Sequence, residues 1–164
     1  MPSSETGNTH AAVIRSDFAP SGVSRLPAEL VEAYRTTNYE VFQSDRFEGF
    51  VLRIGRASPE LLGLMKKYNR SSAAYITAWN PLGMALAAEE NLSRNEELRQ
   101  ELTRRSLPHW TGQGKGTSGE WPGEDSFLIL GLDLAAAVRL ANDVEQNAFV
   151  WVDKQGTPEL VLLK

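Results

Sequence analysis

From about residue 26 onward, short apolar runs alternate with amphipathic segments, and the spacing of the apolar positions predicts the elements. Pro27, at a first helical position, opens a short helix with Leu30, Val31 and Tyr34 on one side. Two strands follow, Asn38–Gln43 and Glu48–Gly55. In the second, Phe50, Leu52 and Ile54 alternate inward against Val51 and Arg53, the pattern of a hairpin with one solvated face. Ser58-Pro59-Glu60 combines a hydroxyl cap, a first-turn proline and a first-turn acid, and starts a helix that buries Leu61, Leu62, Met65 and Tyr68. Ala73–Ala78 is almost continuously apolar, as a central strand covered on both faces should be.

After Trp79-Asn80-Pro81, where Asn80 reads as a cap, the pattern predicts a long helix from about Gly83 to Arg105. The stretch Leu107–Gly123 holds five glycines and two tryptophans, and its Gly112–Gly116 part reads as a mobile lid or hairpin tip. A buried strand, Ser126–Gly131, leads into a helix capped by Asp133 with Leu134, Ala137, Val138, Ala141 and Val144 on its stripe. Asn147–Val152 and Glu159–Leu163 close the chain as a hairpin around Lys154-Gln155-Gly156. The expected architecture is a single α/β (α+β) domain over residues 26–164. It has a mixed sheet of about five to six strands, three to four packed helices, and a polar N-terminal tail over residues 1–25.

One element breaks its own pattern. At about 100° per residue, Met84, Ala88, Leu98 and Leu102 of the long helix share one stripe, with Leu92 at its margin. Asn91 and Asn95 fall in the middle of that stripe. Glu90, Glu97 and Glu101 lie opposite, and Glu90–Arg94 and Glu101–Arg105 have the spacing of favourable pairs. A buried amide without partners costs roughly 1–3 kcal/mol, so both asparagines must be bonded. Either they tie down neighbouring loop backbone, such as the Trp79–Gly83 turn, or they line a polar pocket whose floor is the Trp79–Pro81 turn. The position after a buried strand, at a helix start, is where open α/β sheets place ligands.

Composition narrows the classes. At 164 residues and net charge −4, with 41% hydrophobic and 23% charged residues, the chain suits one globular domain. There is no run of ~20 apolar residues, no secretory h-region and no cysteine, which together point to a cytoplasmic protein without disulfides or cysteine metal sites. Residues 1–82 carry 9 Lys/Arg against 8 Asp/Glu, and residues 83–164 carry 8 against 13. That balance argues against DNA binding. Arg46, Arg53, Arg56, Lys66, Lys67 and Arg70 form the one basic strip, read as a solvated face, with weak RNA contact as the alternative.

The motifs of common chemistries fail. Gly112-Gln113-Gly114-Lys115-Gly116 is neither a Walker loop, since glycine follows Lys115, nor a dinucleotide fingerprint, since no helix opens there; Lys115 is expected to be solvated. Glu120, Glu124 and Asp125, with Glu89 and Glu90, have no cation-loop spacing, so neither metal nor cofactor is expected. Ser126 is in no nucleophile elbow, and His109-Trp110 reads as a packing pair, leaving His10 in the tail.

In order along the chain, Phe50-Val51-Leu52-Arg53-Ile54-Gly55, Ile76-Thr77-Ala78-Trp79-Asn80-Pro81, Glu89-Glu90-Asn91, Arg94, Trp121 through Glu124 to Ser126, and Gln146-Asn147-Ala148 resemble a bacterial family of small proteins, domain of unknown function 3293, over roughly residues 28–163. The resemblance implies a compact cytosolic protein. It also singles out Asn80, Glu90, Asn91, Arg94, Glu124, Gln146 and Asn147 as a polar signature. The expectation is a binder of a small polar or anionic ligand at Asn80, Asn91, Arg94, Glu124, Gln146 and Asn147. If it is an enzyme, Glu90 or Glu124 is the candidate general base. The alternative is a non-catalytic interaction or adaptor protein whose polar signature is structural.

Overall fold

The computed structural model describes residues 13–117 and 122–164. The expectations that fall on residues 1–12, including His10, and on Gly119, Glu120 and Trp121 lie outside the described residues. Eight strands form one mixed sheet: β1 (Ile14–Arg15), β2 (Asn38–Val41), β3 (Phe50–Leu52), β4 (Ala73–Ile76), β5 (His109–Lys115), β6 (Glu124–Leu130), β7 (Ala148–Val152) and β8 (Pro158–Leu162). Their order is β1-β8-β7-β4-β6-β5-β2-β3. β1 runs parallel to β8, and the other pairings are antiparallel.

Four α-helices cover the two faces. α1 (Ala28–Thr36) and α2 (Pro59–Lys67) pack on the face carrying Tyr75, Leu128, Leu130, Val150 and Leu160. α3 (Ala88–Arg104) and α4 (Leu134–Asp143) pack on the face carrying Ala74, Ile76, Phe127, Ile129 and Phe149. Every residue of β4 is buried, as expected of a strand covered on both sides. Two caps form as the sequence signals. The Leu61 N–H donates to Ser58 Oγ at 3.1 Å, and the Ala136 N–H donates to Asp133 Oδ1 at 2.8 Å.

The α+β class with four helices is as expected, but eight strands replace the five to six. One addition is β1, where Ile14 pairs with Leu160 and the buried Glu159 accepts from Arg15 Nε at 2.6 Å. The other is β5, in the stretch read as a lid. It pairs with both β6 and β2, so this stretch joins the two halves of the sheet. Glycine is a poor strand former, and its two strand positions here hid the element. Gly112 is there for space: a Cβ at that position would lie 1.9 Å from the Glu40 carbonyl oxygen and 2.9 Å from the Tyr75 hydroxyl, which itself donates to Glu40 O at 2.7 Å. Lys115 is exposed, as expected of a solvated lysine, and pairs its Nζ with Glu40 Oε1 at 3.4 Å.

The long helix is also shorter than its pattern. Pro81–Gly83 forms a 3-10 turn, an extended segment follows, and α3 starts only at Ala88. Met84 is therefore off the helix and 56% exposed; Ala88 and Leu92 are exposed too, while Leu98 and Leu102 keep the buried stripe. Positive φ at Asn80, Leu82 and Gly83 prevents the helix from starting earlier.

Gly112→Ala should cost about 1–3 kcal/mol, because the added methyl meets a backbone carbonyl that cannot move without breaking the β2–β5 ladder. Gly114→Ala, whose nearest atoms stand at 3.7 Å, should unfold within about 0.5 kcal/mol of the parent chain in urea.

Candidate functional site

β4 ends at Ile76, and the chain then leaves the sheet through Thr77–Pro81 while still largely enclosed. Ladder partners no longer reach the backbone groups here, so each needs another bond. Thr77 bridges first: its hydroxyl donates to Asp125 O at 2.5 Å and accepts from the Trp79 N–H at 3.0 Å. Ala78 is held from both sides. Its N–H donates to Asn95 Oδ1 at 2.8 Å, and its carbonyl accepts from Arg94 Nε at 2.7 Å. Asn95 then donates to Asp125 O at 2.8 Å, tying α3 to β6 through the turn.

Asn80 and Asn91 form a reciprocal pair. The Asn80 N–H donates to Asn91 Oδ1 at 2.8 Å, and Asn91 Nδ2 donates to Asn80 Oδ1 at 2.7 Å. Asn80 Oδ1 also accepts from the Leu86 N–H at 3.1 Å, closing the segment onto itself. Asn80 sits at φ +46°, a left-handed conformation that asparagine tolerates well. It does not cap the following turn with its side chain. Asn91 and Asn95 are 1% and 6% exposed, so the helix does turn two amides inward. A carboxamide carries one acceptor and one donor group, like the peptide bond it replaces, and this matches the unpaired groups of the turn.

Arg94 does not pair with Glu90, as its spacing suggested. It reaches across to Val144 O at 2.7 Å and to Glu145 Oε1 at 3.4 Å. Gln146 donates to Trp79 O at 3.2 Å. Glu101 does pair with Arg105, at 2.6 Å. Asn91, Arg94, Asn95 and Gln146 thus converge on one turn, and their polar atoms point into its backbone. Buried side-chain polar atoms without a partner are absent among the described residues.

A second group gathers on the opposite side of that turn. Glu124 opens β6 with the parity of Ser126 and Leu128, which places it on the α1 face, whereas Asp125 faces the other way and accepts from Gln113 Nε2 at 2.9 Å. Burial pushes the Glu124 carboxyl above the usual carboxylate range, opposed in part by the Asn80 amide beside it. Tyr34, at the end of α1, lies within the field of Glu124; burial raises its pKa and the Asn147 amide at its hydroxyl lowers it. Asn147 also flanks the turn, with its Nδ2 3.4 Å from where a Cβ of Gly83 would lie. Among the described residues Glu124 makes no ion pair. Glu90, the other candidate base, is exposed in the first turn of α3.

The site residues named from the sequence therefore fall into two sets. Asn91, Arg94 and Gln146 brace the turn, and Glu124 and Asn147 stand beyond it, with Asn80 belonging to both. Tyr34 joins the second set. The sequence offered only a tyrosine within an apolar helical stripe, because its role depends on where α1 crosses the start of β6. Of two open grooves, one borders this same turn on its α3 side, at Ala78 and Arg94, and the other lies away from it. The first, of about 340 Å³ between α3 and α4, is lined by Arg94, Glu97, Leu98 and Leu140; the second, of about 450 Å³, by Phe47, Phe50, Glu60 and Lys67. In the second, Arg46 and Lys67 alternate with Glu48 and Glu60, so this part of the basic strip is not a field of one sign. His109 is a packing group, with Nδ1 2.8 Å from Leu107 O and its ring edge-on to Phe127. Among the described residues no group of three or more His, Asp or Glu is gathered as metal ligands would be, and no helix is long and apolar enough to cross a membrane.

The chain is thus a single-domain α+β protein in which a mixed eight-stranded sheet carries a side-chain-braced turn at the end of a central strand. Residues 76–149 match the family described as "Protein of unknown function (DUF3293)", the family the sequence resembles. The match is narrower than the 28–163 of the resemblance, and it includes every bracing residue as well as Glu124 and Asn147. No curated protein and no solved structure matches the chain.

Asn91→Ala should lower unfolding free energy by roughly 1–3 kcal/mol, since it strands the Asn80 N–H. Asn91→Asp should be no better despite its shape, because it sets a second acceptor against Asn80 Oδ1. Urea unfolding of both variants checks this. Glu124 gives a pH signature. With its folded pKa raised, the native state keeps a proton that the unfolded chain has released, so stability falls as pH rises from the ordinary carboxylate range through the folded value. Glu124→Gln removes that fall. Its Tm should exceed that of the parent at neutral pH, and the difference should close in acid.

Proposed function

We propose that the protein binds a small polar ligand at the carboxyl end of β4, on the surface framed by Asn80, Glu124 and Asn147 with the Tyr34 hydroxyl. In this reading Asn91, Arg94, Asn95 and Gln146 hold that surface in shape rather than touch the ligand. The observation that carries it is Glu124, a half-buried carboxyl without an ion-pair partner among the described residues. A carboxylate kept partly out of water destabilises a fold unless a partner arrives, and such groups concentrate at functional sites. If the ligand is also a substrate, Glu124 is the general base, since a raised pKa brings a carboxylate nearer to working pH. A chain that carries no cysteine is consistent with a cytoplasmic setting.

A second reading has its own support. Three of the signature side chains, Asn91, Arg94 and Gln146, bond together with Asn95 to backbone carbonyls or N–H groups of one turn, which is what a purely structural signature in a non-catalytic interaction protein requires. Native mass spectrometry of the purified chain, followed by thermal shift with small-molecule libraries, separates the two. Ligand binding predicts a bound mass or a stabilising compound whose effect falls at least about tenfold in affinity in Glu124→Gln, a folded variant. If no compound stabilises the parent, or if Glu124→Gln responds as the parent does, the ligand reading fails.

A further inference from the structure

Away from the braced turn, and independently of the ligand reading, one edge of the sheet is open. Among the described residues β3 has β2 on one side and no strand on the other. An unpaired edge presents backbone N–H and C=O groups to any strand that comes alongside. β3 is only three residues long, yet apolar side chains line both of its faces. Val51 is exposed, and so is Phe42, two residues beyond the Glu40 that faces Val51 across the ladder. On the other face, the groove of about 450 Å³ lies between Phe47 and Phe50, with ring centroids 5.6 Å apart, and Gly63 and Leu64 of α2. Gly63 sits inside a nine-residue helix, where glycine costs roughly fivefold in the folding equilibrium relative to alanine. Nothing in the chain requires it, since a Cβ there would meet no atom within 4 Å. Gly112 is bare because its own chain crowds it; space at Gly63 serves only something that arrives from outside.

The charges on the groove identify the arrival. Glu60 and Lys67 flank Gly63 and Leu64 on one face of α2, two helical turns and about 10 Å apart. Among the described residues neither makes an ion pair. Their midpoint falls between Gly63 and Leu64. A second α2 laid antiparallel across that point therefore sets Glu60 of each copy against Lys67 of the other. A partner of one sign would be repelled at one end of this groove, whereas a patch carrying both signs about a central point complements itself, as a two-fold interface requires. We propose that a second copy of this chain docks here, with β3 beside β3 in antiparallel pairing and α2 crossing α2 at Gly63. The sheet then continues from one copy into the other, and Val51, Phe47 and Phe50 are covered.

Sedimentation velocity of the full-length chain between about 5 and 500 µM tests this. One short strand and one helix face make a small interface, so the expected result is a concentration-dependent dimer with a dissociation constant of about 10–100 µM. Gly63→Ala should raise the folding equilibrium constant about fivefold yet weaken the dimer at least about tenfold, because its methyl group occupies the crossing. Glu60→Lys and Lys67→Glu should each weaken the dimer, since each sets like charges together at both contacts. An equal mixture of the two variants should restore association, because the mixed pair has opposite charges at both contacts. A parent chain that stays monomeric at about 500 µM overturns the inference. A dimer that survives Gly63→Ala, or one that the mixture of charge variants does not restore, overturns it too. Should a charge variant fail to fold, the comparison of the parent with Gly63→Ala decides by itself.

Discussion

A strand that ends inside a protein leaves N–H and C=O groups that water cannot reach and that no neighbouring strand can bond. At the end of β4 this constraint shapes everything around it. Ala78 and Asn80 need partners after the ladder stops, and α3 supplies them with side chains from inward positions little more than one helical turn apart: Asn91, Arg94 and Asn95. α3 cannot then be an ordinary amphipathic helix. Its first half faces the protein with amides and its second half with Leu98 and Leu102, so one helix both clamps the turn and closes the core.

The clamp also fixes where polar groups can be left over. Asn80 is held by Asn91 and Leu86 in a left-handed conformation, and its side-chain amide partly offsets the upward push of burial on the Glu124 carboxyl. Leu82, at φ +53° and 41% exposed, carries left-handed strain of roughly 1–2 kcal/mol and is held by its N–H bond to Glu145 O at 2.7 Å. Strain of this kind persists only where the surroundings over-determine it, and it commonly accompanies sites that need a fixed backbone. All of these residues fall within residues 76–149, the stretch that matches the family.

Much of this was legible before the structure. Cap chemistry read Ser58 and Asp133 correctly, since a cap is a local bond between residues three apart. Periodicity placed Asn91 and Asn95 inward and required them to be bonded. It could not say to what, because the partners lie in a turn 11 to 17 residues away along the chain. The same periodicity carried the helix too far towards Gly83: the pattern of apolar residues continues through Met84, but positive φ at Asn80, Leu82 and Gly83 and the 3-10 turn over Pro81–Gly83 stop the helix from reaching it. β5 was hidden for a different reason. Its glycines answer to the close approach of β2 and Tyr75, a tertiary demand that overrides strand propensity. Tyr34 was hidden because its neighbours come from β6 and β7, which only the folded sheet brings to the end of α1.

The bracing of the turn is tested most directly by native-state hydrogen exchange at two amides, those of Ala78 and Asn80. If their hydrogens are bonded to Asn95 and Asn91 inside the protein, they should exchange nearly as slowly as the Tyr75 and Ile76 amides of β4, although neither belongs to a strand. Exchange at the rate of an exposed loop, orders of magnitude faster than in β4, would contradict the clamp and with it the placement of Glu124.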